Sequence, residues 1–175
     1  MRTLSYDLFT NLLKPFACAF LLSLALIGST SAQAQISSKA AMKTLEAFFS
    51  ALSVEAYGNG DLEALVTDDF VIFEMGQRFT LPEFKAFLAS ANYADWHATD
   101  WVISNYTVTS DQSSAHIFYQ NDGVFLFPDQ DKPDALRQQT NLWLESALVI
   151  KDGDTLKLKF LQSEIQCLQI DRLLL

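Results

Sequence analysis

A change of hydrophobic period near residue 100 constrains this chain more than any other feature of its sequence. Before that point, apolar residues recur with helical spacing, as at Met42, Leu45, Phe49 and Leu52. After it, β-branched and aromatic residues dominate runs such as WVISNYTVT at residues 101–109, which are typical of strands. This order predicts an α+β fold, with helices on one side of an antiparallel sheet.

Three helices and one strand are expected in the first half. Ser37 and Ser38 are suitable N-caps for the first helix, which should end at the glycines of residues 58–60. Asp61 begins a short second helix, and residues 69–75 (DFVIFEM) form a strand that is apolar on both faces. Residues 80–83 (TLPE) have the spacing of a capping box and predict the start of a third helix.

Four strands are expected in the second half, at residues 101–109, 116–127, 141–150 and 155–166. The second of these contains Asn121-Asp122-Gly123, which predicts an interruption, and KDGD at residues 151–154 predicts a hairpin turn.

Residues 128–139 are polar and acidic, and they predict the one long loop of the chain. Asp129, Asp131 and Asp134 in this segment lack the Gly and Glu of a calcium-binding EF-hand. We therefore expect a solvated loop rather than a cation site.

Residues 1–34 have the pattern of a secretory signal peptide, and residues 35–175 are expected to form the mature domain. Arg2 and Lys14 supply positive charge, the apolar run at residues 16–27 is too short to span a bilayer, and residues 32–34 (AQA) form a cleavage site. The alternative is an uncleaved membrane anchor. Cleavage predicts a periplasmic or secreted protein with no membrane segment.

Cysteine usage suits an exported protein that is stabilised by its core. Cys18 lies in the signal sequence, so cleavage would leave Cys167 alone and without an internal disulfide partner. We expect Cys167 to be a buried free thiol.

The charge balance excludes several partners. The chain has 12 Lys+Arg against 21 Asp+Glu and a formal net charge of −9, whereas nucleic-acid binding requires a basic surface. The sequence contains no phosphate-binding glycine-rich loop, and His97 and His116 lack the spacing of a metal site. It therefore predicts no nucleic-acid partner, no cofactor and no metal.

Four stretches in this order resemble the nuclear transport factor 2-like superfamily, in particular its SnoaL-like and ketosteroid isomerase-like small domains. They are the helix start at residues 60–65, the strand and helix opener at residues 68–84, the strand pair at residues 101–127 and the final hairpin at residues 148–158. The resemblance implies a curved, cone-shaped antiparallel sheet packed against three N-terminal helices around an apolar pocket. Proteins of this superfamily include enzymes and non-catalytic binders, often as homodimers, so the fold does not fix the function.

Glu74 is the candidate general base. In ketosteroid isomerase a carboxylate base follows a similar double-Asp stretch by the same spacing as that from Asp69 to Glu74. Burial at the end of an apolar strand would raise its pKa toward values useful for proton transfer. The alternative is a solvated carboxylate at a strand end.

The other candidates are two histidines and a set of aromatic residues. His97 and His116 could act as acid or base beside Glu74, or could have structural roles only. Aromatic residues could line the pocket or pack in the core; they are Tyr57, Trp96, Trp101, Tyr106, Tyr119 and Trp143.

Three functions from different classes follow. The first is an exported module that binds a small apolar molecule or a partner in its cone. The second is a proton-transfer enzyme that acts on a hydrophobic carbonyl compound with Glu74 as base. The third is a purely structural role, as a dimer whose exposed sheet face meets another protein.

Overall fold

The computed structural model describes residues 34–59 and 61–173, which belong to one compact unit. The predicted signal peptide lies outside these residues except for Ala34, and its cleavage stays a prediction. None of the helices in the described part is long and apolar enough to cross a membrane.

Three α-helices, one 3-10 helix and six strands make up the described residues. In chain order they are α1 (Ser38–Leu52), α2 (Asp61–Leu65), β1 (Val66–Glu74), β2 (Gln77–Thr80), α3 (Leu81–Ser90), the 3-10 helix (Tyr93–Asp95), β3 (Ala98–Ser110), β4 (Ser114–Asp129), β5 (Lys132–Asp152) and β6 (Thr155–Leu173). Helices thus precede the long strands, which confirms the predicted α+β class.

Helix α1 begins where predicted but ends earlier. The Ser37 hydroxyl accepts a hydrogen bond from the Ala40 amide at 3.2 Å, as an N-cap does. The helix stops at Leu52 rather than at the glycines, because Ser53 is extended and the Val54 amide donates to Thr99 Oγ1 of β3 at 3.1 Å. This bond holds the end of α1 against the sheet.

The segment between β1 and α3 contains a hairpin that the sequence patterns did not predict. Met75 and Gly76 both have positive φ, 50° and 74°, and they turn the chain so that β2 pairs antiparallel with β1. The predicted capping box is present, since the Glu83 carboxylate accepts bonds from the Thr80 amide and hydroxyl at 2.8 Å.

The six strands form one open sheet in the order β2-β1-β6-β5-β4-β3. Four neighbouring pairs are antiparallel, and the three that join β3 to β6 were predicted from the sequence. The pair β1 and β6 is parallel, so the sheet is mixed. Its inner face packs against α1, whose Leu45 and Phe48 are fully buried with Ile117 of β4 and Leu158 of β6.

The prediction of a long loop at residues 128–139 was wrong. Strands β4 and β5 continue as a hairpin through this segment, with Phe127 opposite Arg137. Asp129 is 2% exposed, and Arg137 Nη2 donates to Asp129 at 3.3 Å and to Asp131 at 3.1 Å. Asp129 and Asp131 are thus paired within the hairpin, and no group of residues suited to a metal occurs in the described part.

Two further predictions were wrong. Residues 121–123 do not interrupt β4, and Asn121 is fully buried in it. Cys167 is exposed rather than buried, and it lies within β6, which continues to Leu173.

Candidate active site: an apolar cavity with two carboxyl groups

A cavity of about 180 Å³ lies between α1, α3 and the inner face of the sheet. Most of its wall is aliphatic or aromatic, including Phe49, Phe84, Phe87, Leu88, Trp96, Trp101, Phe125 and Trp143. Its polar groups are few, and they are Glu74, Asn121, Gln139, Asn141, Glu145 and Ser163. A mostly apolar concave site with a few polar groups is the usual form of a small-molecule site.

Glu74 reaches the cavity because it is the last residue of β1, two positions after the buried Ile72 and therefore on the same face. Burial raises its pKa, against hydrogen bonds from Ser163 and from the Met75 amide, which lower it. The side chain is partly buried at the cavity, so the alternative of a fully solvated carboxylate does not describe its surroundings.

Glu145 is the second acid of the site. It lies on β5 with Tyr119 of β4 on one side and Ser163 of β6 on the other, and it is 8% exposed. Asn121 Nδ2 donates to its Oε2 at 3.1 Å. Burial raises the pKa of Glu145 to about 7, although Tyr119, Ser163 and Asn121 lower it.

The two carboxyl groups are coupled. The Ser163 hydroxyl interacts with both and lowers the pKa of each, and the charge of Glu74 raises the pKa of Glu145. Two carboxylates in one apolar site resist simultaneous ionisation. Ionisation of one carboxyl group in the cavity therefore makes ionisation of the other less favourable.

Two tyrosines support this site. Tyr119 is 3% exposed and packs edge-on against Phe49 with ring centroids 6.4 Å apart. Its hydroxyl makes no hydrogen bond of normal geometry within the described residues, although it lies close enough to Glu145 to affect the pKa of that acid. Tyr93 lines the cavity with its ring, while its hydroxyl donates to the Leu52 carbonyl at 2.6 Å. Burial raises the pKa of both phenols, so both stay protonated at neutral pH.

Aromatic rings form one continuous wall. Phe125 contacts Trp96, Trp101 and Trp143 at centroid distances of 5.5, 5.8 and 5.8 Å. Gly123 makes room for this arrangement, because a Cβ there would lie 2.5 Å from Cζ3 of Trp143. The glycine that resembled a turn signal in the sequence thus lets the indole lie close to the sheet.

Among the predicted site residues, Glu74, Trp96, Trp101 and Trp143 line the cavity. Tyr119 lies beside Glu145 on the neighbouring strand and does not line the cavity. The remaining four sit elsewhere in the fold, and they are Tyr57, Tyr106, His97 and His116.

Each of these four has other surroundings. Tyr57 packs edge-on against Tyr93, with centroids 5.1 Å apart, and Tyr106 is 54% exposed on β3. His97 is exposed after the 3-10 helix. His116 contacts the ring of Phe118 at 4.2 Å on the outer face of β4, so neither histidine joins Glu74 in the cavity.

Glu145, Asn121 and Ser163 were not among the candidates from the sequence. A usable signal was present for Glu145, since period-two alternation places it with Trp143, Ala147 and Val149 on one face. A lone carboxylate on an otherwise apolar strand face is costly unless it has partners or a function.

No known family model and no curated protein matches the chain. Solved structures match its fold. A provisionally assigned aromatic ring hydroxylase from Novosphingobium aromaticivorans has a TM-score of 0.62 at 14% identity. The aligned region covers 76% of this chain and 92% of the hydroxylase chain. A provisionally assigned ketosteroid isomerase from Shewanella frigidimarina has a TM-score of 0.53 at 18% identity, covering 71% and 94%. The CaMKII hub of S. rosetta has a TM-score of 0.54 at 16% identity, covering 73% and 95%.

The chain has the nuclear transport factor 2-like fold. The predicted resemblance is thereby confirmed at the level of the fold. In this fold, the inner face of the sheet carries the cavity, and Glu74 and Glu145 enter it from strands separated by β6.

The raised pKa of Glu145 predicts that the domain loses stability as pH rises from about 4.5 to about 7. In that range the unfolded chain has released the proton and the folded chain still holds it, so ionisation favours unfolding. The shift corresponds to a loss on the order of 3 kcal/mol. Glu145→Gln should remove most of this loss, and urea denaturation at pH 5 and pH 8 measures it.

Glu164→Gln, on an exposed position of β6, is the matched control and should keep the pH dependence of the parent. Equal pH dependence in Glu145→Gln and the parent would show that Glu145 does not hold its proton in the folded state.

Proposed function

We propose that this domain binds a small, largely apolar molecule in the cavity and transfers a proton on it with Glu74 and Glu145. The observation that carries the proposal is the presence of two carboxyl groups with raised pKa in one apolar cavity. Such pairs, whose surroundings separate an acid from a base near neutral pH, are the arrangement that general acid–base catalysis requires.

The surroundings of the two acids assign their roles. Glu74 is the less buried of the two, so it more readily holds the negative charge and acts as the base. Glu145, whose pKa burial raises to about 7, carries a proton in a large fraction of the molecules near neutral pH and acts as the acid. Ser163 interacts with both groups and lowers the pKa of each.

The size and lining of the cavity support a small substrate. An apolar protein cavity of roughly 150 Å³ accommodates benzene, and this cavity of about 180 Å³ is of similar size. The likeness in fold to a provisionally assigned ketosteroid isomerase and a provisionally assigned ring hydroxylase is in keeping with enzymatic use of such a site.

The proposal predicts that, in deuterated water, the protein accelerates exchange of the α-protons of 3-cyclohexen-1-one. This compound is the isomer of cyclohexenone in which the double bond is not conjugated with the carbonyl group. The base removes an α-proton, and solvent-derived deuterium returns to the ring. Glu74→Gln should slow the catalysed exchange by about 10²- to 10⁴-fold, whereas Glu164→Gln should not. Proton NMR follows the loss of the α-signals.

Binding of this compound without catalysed exchange, at any pH between 5 and 8, would refute proton transfer and favour a non-catalytic binding module. Equal rates in the parent and Glu74→Gln would refute the role of Glu74. Native mass spectrometry of protein from its own host compartment would identify a co-purifying molecule.

We propose that the protein is exported, on the signal pattern of residues 1–34. The mature form should begin at Gln35, and N-terminal sequencing of protein isolated from the secreted or periplasmic fraction measures this. An intact Met1 on membrane-bound protein would support the uncleaved anchor instead.

We propose that two copies of the chain pair through the outer face of the sheet. Val102, Phe118 and Leu144 on this face are 55%, 48% and 54% exposed, and exposed apolar residues in a group mark interaction surfaces. Light scattering should give the mass of a dimer for the parent protein and the mass of a monomer for Phe118→Lys. A parent protein that is monomeric at about 100 µM would refute the pairing.

A further inference from the structure

Two polar groups in the cavity wall lack a hydrogen-bond partner within the described residues. They are Asn121 Oδ1, in a side chain that is fully buried, and Trp143 Nε1, in a residue that is 8% exposed. Both residues line the cavity. A buried polar group left unpaired costs roughly 1–3 kcal/mol. The two atoms have almost no exposed surface, so a ligand that pairs with both after a small rotation of the side chains regains part of this energy.

The chemistry of the two groups indicates what the ligand must offer. Trp143 Nε1 only donates, so it requires an acceptor. The Asn121 amide gives its Nδ2 to Glu145 at 3.1 Å and leaves its oxygen open, so it requires a donor. Rotation of the amide would exchange the two atoms and leave an N–H group open instead. A hydroxyl group both donates and accepts, and it satisfies Trp143 and either orientation of Asn121.

The charge of the cavity excludes anions. Glu74 and Glu145 are its titratable acids, and no Lys, Arg or His occurs among the described residues that line it. A carboxylate or phosphate would have to lose its hydration next to acidic groups without gaining a cation. An uncharged ligand meets no such cost.

The shape of the wall favours a flat ring. Trp101, Phe125 and Trp143 form consecutive edge-on contacts with centroids 5.8 Å apart, and such rings pack well on the faces and edges of another ring. The cavity volume of about 180 Å³ restricts the occupant to about one ring with small substituents.

We infer that the cavity takes an uncharged, single-ring molecule that carries a hydroxyl group, bound between Asn121 and Trp143. This inference deepens the proposed function and rests on it for the reaction only, because recognition of the hydroxyl does not require proton transfer. It implies that the substrates are hydroxylated ring compounds rather than plain hydrocarbons or ring carboxylates.

Isothermal titration calorimetry at pH 7 with phenol, toluene and benzoate tests the inference. The three probes have the same ring and differ in the group attached to it. Phenol should bind about tenfold more tightly than toluene, as one or two net hydrogen bonds provide, and benzoate should bind more weakly than toluene.

Variants connect this preference to the two residues. Trp143→Phe keeps a ring and removes the N–H group. It should therefore weaken the binding of phenol about five- to tenfold and leave the affinity for toluene nearly unchanged. Asn121→Leu should act in the same direction. Trp101→Phe is the matched control, since Trp101 also lines the cavity, and it should change phenol and toluene by similar factors.

Equal binding of phenol and toluene, or binding of benzoate as tight as that of phenol, would overturn the inference. So would a Trp143→Phe variant that keeps the full preference for phenol. These outcomes are separate from failure of the proposed function. A preference for phenol without catalysed exchange of the cyclohexenone would leave the ligand class standing, and exchange without the preference would leave proton transfer standing.

Discussion

The structure depends on a mismatch between the reach of its helices and the length of its strands. Strand β5 has 21 residues, which at about 3.3 Å per residue extends to roughly 70 Å. Helix α1 contacts β3, β4, β5 and β6, so it lies across the strands and covers a band only about 10 Å wide. Within that band Ile117, Ala147 and Leu158 are completely buried. Beyond it the inner face must be covered by other elements, and the cavity lies where α3 and the 3-10 helix only partly do so.

Glu145 lies at the border of that band, and its position explains the electrostatics of the site. Two residues further along β5 in one direction is the fully buried Ala147, and two in the other is the cavity residue Trp143. The carboxyl group is therefore dehydrated by the core on one side and accessible to a ligand on the other. Its neighbours in register, Tyr119 and Ser163, are both able to donate hydrogen bonds. They reduce the free-energy cost of burying the acid, but burial still raises its pKa to about 7.

Local sequence patterns predicted most of the elements but not the contacts between distant strands. The capping box at Thr80 and Glu83 and the N-cap at Ser37 involve residues three positions apart, so both could be found in the sequence. The parallel pairing of β1 with β6 and the hairpin through residues 128–139 depend on partners that no local pattern names. In that hairpin, Arg137 offsets the charge of Asp129, so a polar segment forms strand where its composition alone indicated a loop.

The same distinction decides what could be known of the candidate site. Glu74 was found because it ends a recognisable apolar strand, whereas Ser163 joined the site only through the register of β5 and β6. Asn121 looked like part of a turn, because Asn-Asp-Gly is a turn sequence in isolation. In the sheet, however, Gly123 serves the packing of Trp143, and Asn121 meets Glu145 across the neighbouring strand. The residues that resembled a break in the strand are thus the ones that bring a polar group into an apolar cavity.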